Sequence, residues 1–180
     1  MVAGANPREF FLERSTKKKP NFIKKDSKTI SSKEVSSQKR GNAYRHTKSG
    51  YREDIDMNMR SNWEANFARI LIGYSIKFEF EPKIFTFPIK RGTKGYTPDF
   101  YLTKTKEWLE IKGYLDDKSK IKIKRFKKYY PLEFKKLTFI ISKYSAEAIR
   151  FAIELEIPRV IFYEDIRSEY AALVSNWEGK

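Results

Sequence analysis

Cysteine is absent from this sequence, and histidine occurs once, at position 46. Without cysteine there is no disulfide, thiolate zinc site or cysteine nucleophile. A single imidazole also excludes mechanisms that need two or three histidines. No run approaches the roughly 18 consecutive apolar residues of a membrane span, and the N-terminus lacks an apolar signal region. We therefore expect an intracellular protein without membrane contact.

Negative charge is scarce relative to positive charge. Lys and Arg number 38 against 23 Asp and Glu, which gives a formal net charge of +15 in 180 residues. Such an excess favours a polyanionic partner, DNA or RNA, because each phosphate contact releases condensed counterions. A basic surface that is merely solvated, or one that meets an anionic membrane, is the alternative.

The positive charge is concentrated in the first fifty residues, which hold thirteen Lys or Arg against four Asp or Glu. This segment is rich in Ser, Lys, Asn and Gln and shows no sustained helical or strand period. It offers too little apolar surface to offset its ordering entropy. We predict a flexible basic arm over residues 1–50 and one globular domain over residues 51–180.

Periodicity in the second part predicts an α/β (α+β) domain in which helices flank a central mixed sheet. An amphipathic helix follows Ser61, which has Glu64 three positions later, a capping-box spacing. The order expected after it is β-β-β-β-α-β-α-β-α. The strands are "IKFEFEP", "KIFTFPI", the two arms of a hairpin, "KLTFIIS" and "RVIFY". Residues 116–130 fit either a strand or a helix; Asp116 and Pro131 at the two ends favour a helix.

The hairpin "YTPDFYLTKTKEWLEIKGY", residues 96–114, carries charge inside strand-like runs. If the four residues "TKTK" form its loop, opposed residue numbers sum to 209, which places Asp99 opposite Glu110 and Thr97 opposite Lys112. Alternation along each strand then puts these four side chains on one face of the sheet. Opposed side chains have Cβ atoms about 5 Å apart.

Two carboxylates at that separation repel each other unless positive charge lies between them. Lys112 supplies part of that charge, and a cross-strand ion pair on a solvated sheet face is one interpretation. A hard divalent cation supplies more, because Mg²⁺ accepts one or two carboxylates together with waters and phosphate oxygens. A metal bound in this way can activate water and stabilise charge on a scissile phosphate.

"PDF" at residues 98–100 and "EIK" at residues 110–112 resemble the PD-(D/E)XK nuclease signature. The resemblance implies a restriction-endonuclease-like αβββαβ core with an extra C-terminal α-β-α unit. It also implies that Asp99, Glu110 and the Ile111 carbonyl bind the metal, while Lys112 assists the attacking water or the charge of the transition state. The family often has a further glutamate on the preceding helix, and here Glu64 in "RSNWEANFAR" matches it.

The motif "RSxWE", followed by "YTPDFYL" and "EIKG", looks most like phage-encoded endonucleases, including the bacteriophage endonuclease I type of Holliday-junction resolvase. This resemblance spans about residues 60–142, and the apparent extra strand before the hairpin departs from the family pattern. If the protein is phage-encoded, its location is the cytoplasm of a bacterial host, and DNA recombination is a candidate process.

Basic residues near the hairpin are candidates for contact with the phosphate backbone. The preferred set on the helix after Lys112 is Lys124, Lys127 and Lys128, and a second set in the preceding loop is Lys90, Arg91 and Lys94. Arg60 either contacts phosphate or pairs with a nearby acid. For the helix, the alternative is a solvated face without a partner.

The sequence therefore predicts a Mg²⁺-dependent DNA endonuclease in which Mn²⁺ can replace Mg²⁺. The competing interpretation is a non-catalytic nucleic-acid-binding module on the same scaffold, and an RNA-directed nuclease is a third. Paired cuts on two strands would favour a homodimer.

Overall fold

The computed structural model describes residues 49–179, and the predicted basic arm of residues 1–50 lies almost wholly outside the described residues. In chain order the elements are β1 (Gly50–Arg52), β2 (Met57–Met59), α1 (Asn62–Gly73), β3 (Phe78–Phe80), β4 (Phe85–Thr86), β5 (Gly95–Tyr96), β6 (Phe100–Leu102), β7 (Glu107–Lys112), α2 (Asp117–Tyr129), α3 (Pro131–Phe134), β8 (Leu137–Ile141), α4 (Ala146–Glu154), β9 (Arg159–Phe162) and α5 (Tyr163–Tyr170). Among these residues, no helix has the length and apolar character needed to cross a bilayer.

A five-stranded mixed sheet forms the centre of the domain, in the order β3-β6-β7-β8-β9. The β3/β6 and β6/β7 pairs are antiparallel, whereas β7/β8 and β8/β9 are parallel. The predicted mixed sheet with flanking helices is therefore confirmed. Strand β8, "LTFII", is buried throughout, as expected for a strand covered on both faces.

Two short ribbons lie outside the central sheet. One pairs β1 with β2, and the sequence analysis did not anticipate it. The other pairs β4 with β5. The predicted strand "KIFTFPI" is thus reduced to Phe85–Thr86, and the first arm of the predicted hairpin is broken, because residues 97–99 belong to no strand. Pro98 explains the break, since it lacks an N–H for the ladder and restricts Thr97 before it.

The predicted cap at Ser61 and the predicted start of a helix near Asp116 are confirmed. The side chains of Ser61, Asp116 and Ser145 accept hydrogen bonds from the backbone N–H three residues later, at the starts of α1, α2 and α4. Residues 117–129 are helical, which resolves the strand-or-helix ambiguity. The closing helix is shorter than predicted: it ends at Tyr170, and residues beyond it form turns.

Both faces of the sheet are covered. One face packs against an aromatic cluster from β4, β5, α2 and α4, whose members include Phe85, Tyr96, Phe126, Phe139 and Phe151. Trp108 of β7 belongs to this cluster. Because side chains alternate along a strand, Glu110 and Lys112 share the face of Trp108. The charged residues of β7 therefore project toward packed protein and not toward open solvent.

Candidate functional site

The register of the β6/β7 hairpin brings the two predicted carboxylates opposite each other. Phe100 pairs with Leu109 and Tyr101 with Trp108, and residues 103–106 form the turn. The residue numbers in each pair sum to 209. The same register continued by one residue therefore places Asp99 opposite Glu110. Asp99 itself lies just before β6 begins, and the predicted pairing of Thr97 with Lys112 does not form because the strand is interrupted there.

Hydrogen bonds fix each carboxylate at this point. The Ile111 N–H donates to Asp99 Oδ2 at 2.6 Å. Glu110 lies between two donors: the Tyr96 hydroxyl reaches its Oε2 at 2.8 Å, and Lys112 Nζ is 2.8 Å from its Oε1. Each carboxylate oxygen named here has a directed partner, which holds the geometry without a bound cation.

Glu64 enters from the first turn of α1. The Ser61 hydroxyl donates to Glu64 Oε1 at 2.9 Å and the Arg60 N–H donates to Glu64 Oε2 at 2.9 Å. The Glu64 N–H in turn donates to Ser61 Oγ at 3.2 Å. These bonds form a reciprocal cap in which the glutamate satisfies groups at the start of its own helix. Electrostatic coupling of both Glu64 and Asp99 to Lys112 places Glu64 in the same charged group.

Burial makes this group electrostatically unusual. Glu64, Asp99 and Glu110 retain only 6%, 4% and 2% of their surface. Burial, followed by the charge of Glu110, raises the pKa of Asp99 well above its ordinary value. Burial also raises the pKa of Glu64. Burial lowers the pKa of Lys112, but the charges of Glu110 and Asp99 outweigh it, so the net shift is upward and the ammonium keeps its proton.

The burial decides one alternative left open by the sequence. An ion pair on a solvated sheet face would leave its carboxylates in water, where pairing contributes little. Here the three carboxylates are buried, and one of them, Glu110, contacts Lys112. Burying a charged group without an opposite charge beside it is costly. The buried carboxylates therefore lower the free energy of unfolding of this fold. Perturbed ionisable groups of this kind are enriched at functional sites.

The side chains do not form a ready-made cage for a cation. Over residues 49–179, no group of three or more His, Asp or Glu side chains is arranged to hold a metal ion. Mg²⁺ does not require such a cage, because it commonly uses one or two protein carboxylates and takes its other ligands from water and substrate phosphate. Asp99 and Glu110, opposed across the hairpin, fit that mode.

The predicted phosphate-contacting residues occupy several environments. Lys90, Arg91 and Lys94 are exposed in the loop between β4 and β5, and Lys124 and Lys128 are exposed on α2. Lys127 is bound within the protein, since its Nζ lies 2.8 Å from the Leu155 carbonyl and 3.0 Å from Glu156. Arg60 pairs with Glu81 at 2.6 Å while remaining 66% exposed, so the predicted pairing with a nearby acid occurs.

Sequence reasoning missed several residues that shape the site. Tyr96 was read only as a strand residue, although its buried hydroxyl binds Glu110. Glu81 was not singled out, yet its N–H donates to the Asp99 carbonyl at 2.9 Å and its φ of 47° is left-handed. Arg125 donates to the Thr93 carbonyl at 2.6 Å, which joins α2 to the basic loop. Only Arg125, inside a basic run, had a sequence signal.

A concavity lies elsewhere in the domain. A cavity of about 420 Å³ is lined by Ile72 and Gly73 at the C-terminal end of α1, together with residues 173–176 and Asp54. Glu64 lies at the opposite end of the same helix. The buried carboxylates do not line this cavity.

Neither family models, curated proteins nor solved structures match this chain.

Proposed function

We propose that this protein is a Mg²⁺-dependent endonuclease that hydrolyses DNA phosphodiester bonds with a PD-(D/E)XK-type site. The observation that carries the proposal is the charge balance at the hairpin. Three buried carboxylates, Glu64, Asp99 and Glu110, lie within reach of the charge of Lys112, and one of them, Glu110, contacts it. A divalent cation would balance the carboxylates in their ionised state, whereas without one the raised pKa values of Asp99 and Glu64 mean that proton uptake relieves the repulsion.

The order of elements supports the same proposal. The order α-β-β-β-α-β is formed by α1, β3, β6, β7, α2 and β8. The β4/β5 ribbon and the one-turn helix α3 are insertions in it. The sheet order of the four strands is β3-β6-β7-β8, antiparallel except for the last pair. We propose that this unit is a restriction-endonuclease-like core and that α4, β9 and α5 are the additional C-terminal unit.

Each residue has a role that its contacts support. Asp99, Glu110 and the Ile111 carbonyl would hold Mg²⁺, and Glu64 would complete or orient the site from α1. The metal, when bound, lowers the pKa of a coordinated water and polarises the scissile phosphate. Tyr96 holds Glu110 in place through its hydroxyl, and Ser61 holds Glu64.

Lys112 acts as a cation in this scheme. Its raised pKa keeps the ammonium charged at neutral pH, so it does not serve as a general base in the state described. One of its contacts is Glu110, and about a quarter of its side chain remains exposed. The ammonium is thus positioned to neutralise charge that develops on a phosphate oxygen arriving at the sheet edge.

Positive side chains around the site would hold the DNA backbone. The exposed residues Lys124 and Lys128 lie on α2, and Lys90, Arg91 and Lys94 lie on the loop that Arg125 joins to α2. Contacts of this kind position a nucleic acid without reading its sequence. We therefore expect binding that weakens steeply as the salt concentration rises.

Plasmid nicking tests the proposal directly. Supercoiled DNA should be nicked in Mg²⁺ or Mn²⁺ but not in EDTA, and Glu110→Ala and Lys112→Ala should each lower the rate by about a hundredfold or more. Lys136→Ala is the matched control, because Lys136 also pairs with a glutamate, Glu133, but lies before β8 at the other end of the sheet. It should cut at the wild-type rate.

Two outcomes would redirect the interpretation. Normal cutting by both site variants would show that the site is assigned wrongly. Salt-sensitive DNA binding without cleavage in either metal would favour the non-catalytic binding module. Matched duplex, flap, four-way-junction and RNA substrates in the same assay would identify the substrate class, and paired cuts would point to a homodimer.

A further inference from the structure

Two exposed tyrosines follow the carboxyl ends of β7 and β8, where Lys112 also lies. Tyr114 follows the end of β7 by two residues, and Tyr144 follows the end of β8 by three. The two strands are parallel neighbours, with Lys112 in register with Ile141, so their carboxyl ends lie about 5 Å apart. Tyr114 is 54% exposed and Tyr144 is 79% exposed.

The helices that follow these tyrosines also lie side by side. Tyr114 precedes α2 and Tyr144 precedes α4, and the two helices are joined near their N-termini by Lys120 and Glu147 at 2.5 Å. The strand register and this ion pair are independent observations of the same neighbourhood. Together they place both residues at the carboxyl ends of β7 and β8, the same ends at which Lys112 of the proposed hydrolytic site lies.

Hydrogen bonds hold the backbone that carries Tyr144. Glu164 accepts from the Ser142 hydroxyl at 2.5 Å and from the Lys143 N–H at 2.8 Å. The Tyr144 N–H donates to Ser142 Oγ at 3.1 Å, and the Lys143 ammonium lies 3.0 Å from Asp165. An aromatic side chain this exposed, on a segment this firmly anchored, is pre-organised to meet a flat partner.

The rim at these strand ends carries lysines together with acidic partners, since Lys143 pairs with Asp165 and Lys120 pairs with Asp117 and Glu147. Lys143 Nζ lies 5.7 Å from the centroid of the Tyr144 ring, and Lys118 is exposed in the first turn of α2. Aromatic rings interleaved with lysines bind single-stranded nucleic acid by stacking on bases while the cations follow the phosphates. In intact duplex DNA the base faces are already stacked on one another, so only unpaired nucleotides can use such rings.

We propose that Tyr114 and Tyr144 form a stacking rim for unpaired nucleotides, and that the preferred substrate is DNA with a single-stranded segment next to the scissile phosphate. This inference rests on the proposed function for its choice of DNA as partner. It adds a substrate class, because phosphate contacts alone do not distinguish paired from unpaired DNA.

Binding without metal separates this inference from catalysis. Fluorescence anisotropy in EDTA would compare a fluorescein-labelled oligothymidylate with a labelled duplex of equal length. Tyr144→Ala and Tyr114→Ala should each weaken oligothymidylate binding by about five- to a hundredfold. Duplex binding should stay within about twofold of wild type, and Tyr144→Phe should retain affinity because it keeps the ring.

Leu132→Ala is the control, since Leu132 is 72% exposed on α3, before the opposite end of β8. It should leave both probes unaffected. Wild-type affinity in both tyrosine variants, equal weakening of both probes, or no binding of oligothymidylate by wild type would overturn the stacking rim. Tyrosine-dependent binding in a protein that cuts no DNA would overturn the hydrolytic proposal alone, because the anisotropy assay requires no cleavage.

Discussion

Replacing Asp99 by asparagine should stabilise the metal-free protein while abolishing hydrolysis. Asparagine is nearly the same size, and its carbonyl oxygen can still accept the Ile111 N–H that Asp99 accepts at 2.6 Å. The change removes one of the buried carboxylates that share Lys112. The substitution therefore tests the effect of the negative charge while the size of the side chain stays nearly the same.

The magnitude follows from the distance across the hairpin. Opposed side chains are about 5 Å apart, and two unit charges at that distance repel by about 3 kcal/mol at an effective dielectric constant of 20. Proton uptake by Asp99, whose pKa is raised, relieves part of this repulsion in the wild type. Losing the attraction of Asp99 to Lys112 offsets part of this. We expect a net gain of about 1–2 kcal/mol in the free energy of unfolding, which raises Tm by about 2–8 °C.

Urea denaturation in EDTA measures this gain. The control is Asp54→Asn, because Asp54 accepts from Arg69 at 2.6 and 3.0 Å, and the same substitution there should lower stability. In a second series Mg²⁺ is added. Wild type should gain about 1.4 kcal/mol when Mg²⁺ reaches about ten times its Kd, whereas Asp99→Asn should gain little.

Either of two results would refute the reasoning. If Asp99→Asn unfolds more easily than wild type in EDTA, the carboxylate is a well-balanced structural group and its burial implies no missing cation. If Mg²⁺ leaves the wild-type midpoint unchanged at concentrations that support any cleavage, the metal is not held by the folded hairpin.

Other substitutions test neighbouring parts of the structure. Tyr96→Phe removes the hydroxyl bound to Glu110 and should cost about 1–2 kcal/mol of unfolding free energy, measured in urea, together with a loss of nicking rate; an unchanged rate would separate Tyr96 from the site. Ser61→Ala and Ser145→Ala each remove a helix cap and should each cost about 1 kcal/mol, but only the first should slow nicking, since the Ser61 hydroxyl also holds the α1 carboxylate. The pKa of Asp54 is lowered from 3.8 to about 2 by its arginine partner, so its stabilising contribution is complete above about pH 4 and is lost as the pH falls toward 2. In Asp54→Asn the free energy of unfolding should therefore fall less steeply than in wild type as the pH drops from about 4 to 2. An unchanged slope would contradict the ion pair.

Local rules were enough to predict the elements that surround the site. The cap at Ser61, the start of α2 near Asp116 and the apolar run of β8 each carry their signal within a few residues. The turn at residues 103–106 set the register, and the register set the opposition of Asp99 and Glu110. These features depend on neighbours in the chain, which is why a single sequence reveals them.

Non-local contacts could not be predicted in the same way. Nothing near Tyr96 indicates that its strand leaves the central sheet to pair with Phe85, or that its hydroxyl then binds Glu110. The pairing of Arg60 with Glu81 joins residues twenty-one positions apart, and either partner could have remained in solvent. Whether the charged face of β7 was solvated also depended on distant aromatic residues that cover it.

The hydrogen bond from the Ile111 amide to Asp99 also provides a spectroscopic probe. The amide nitrogen lies 2.6 Å from the carboxylate oxygen, so the proton between them is strongly deshielded. Its resonance shifts when the charge on that carboxylate is shared with another group. The nitrogen–proton correlation of Ile111 would therefore report the binding of a cation at the hairpin, and the measurement would not require DNA cleavage. A titration followed at this one resonance could measure Mg²⁺ affinity without any substrate.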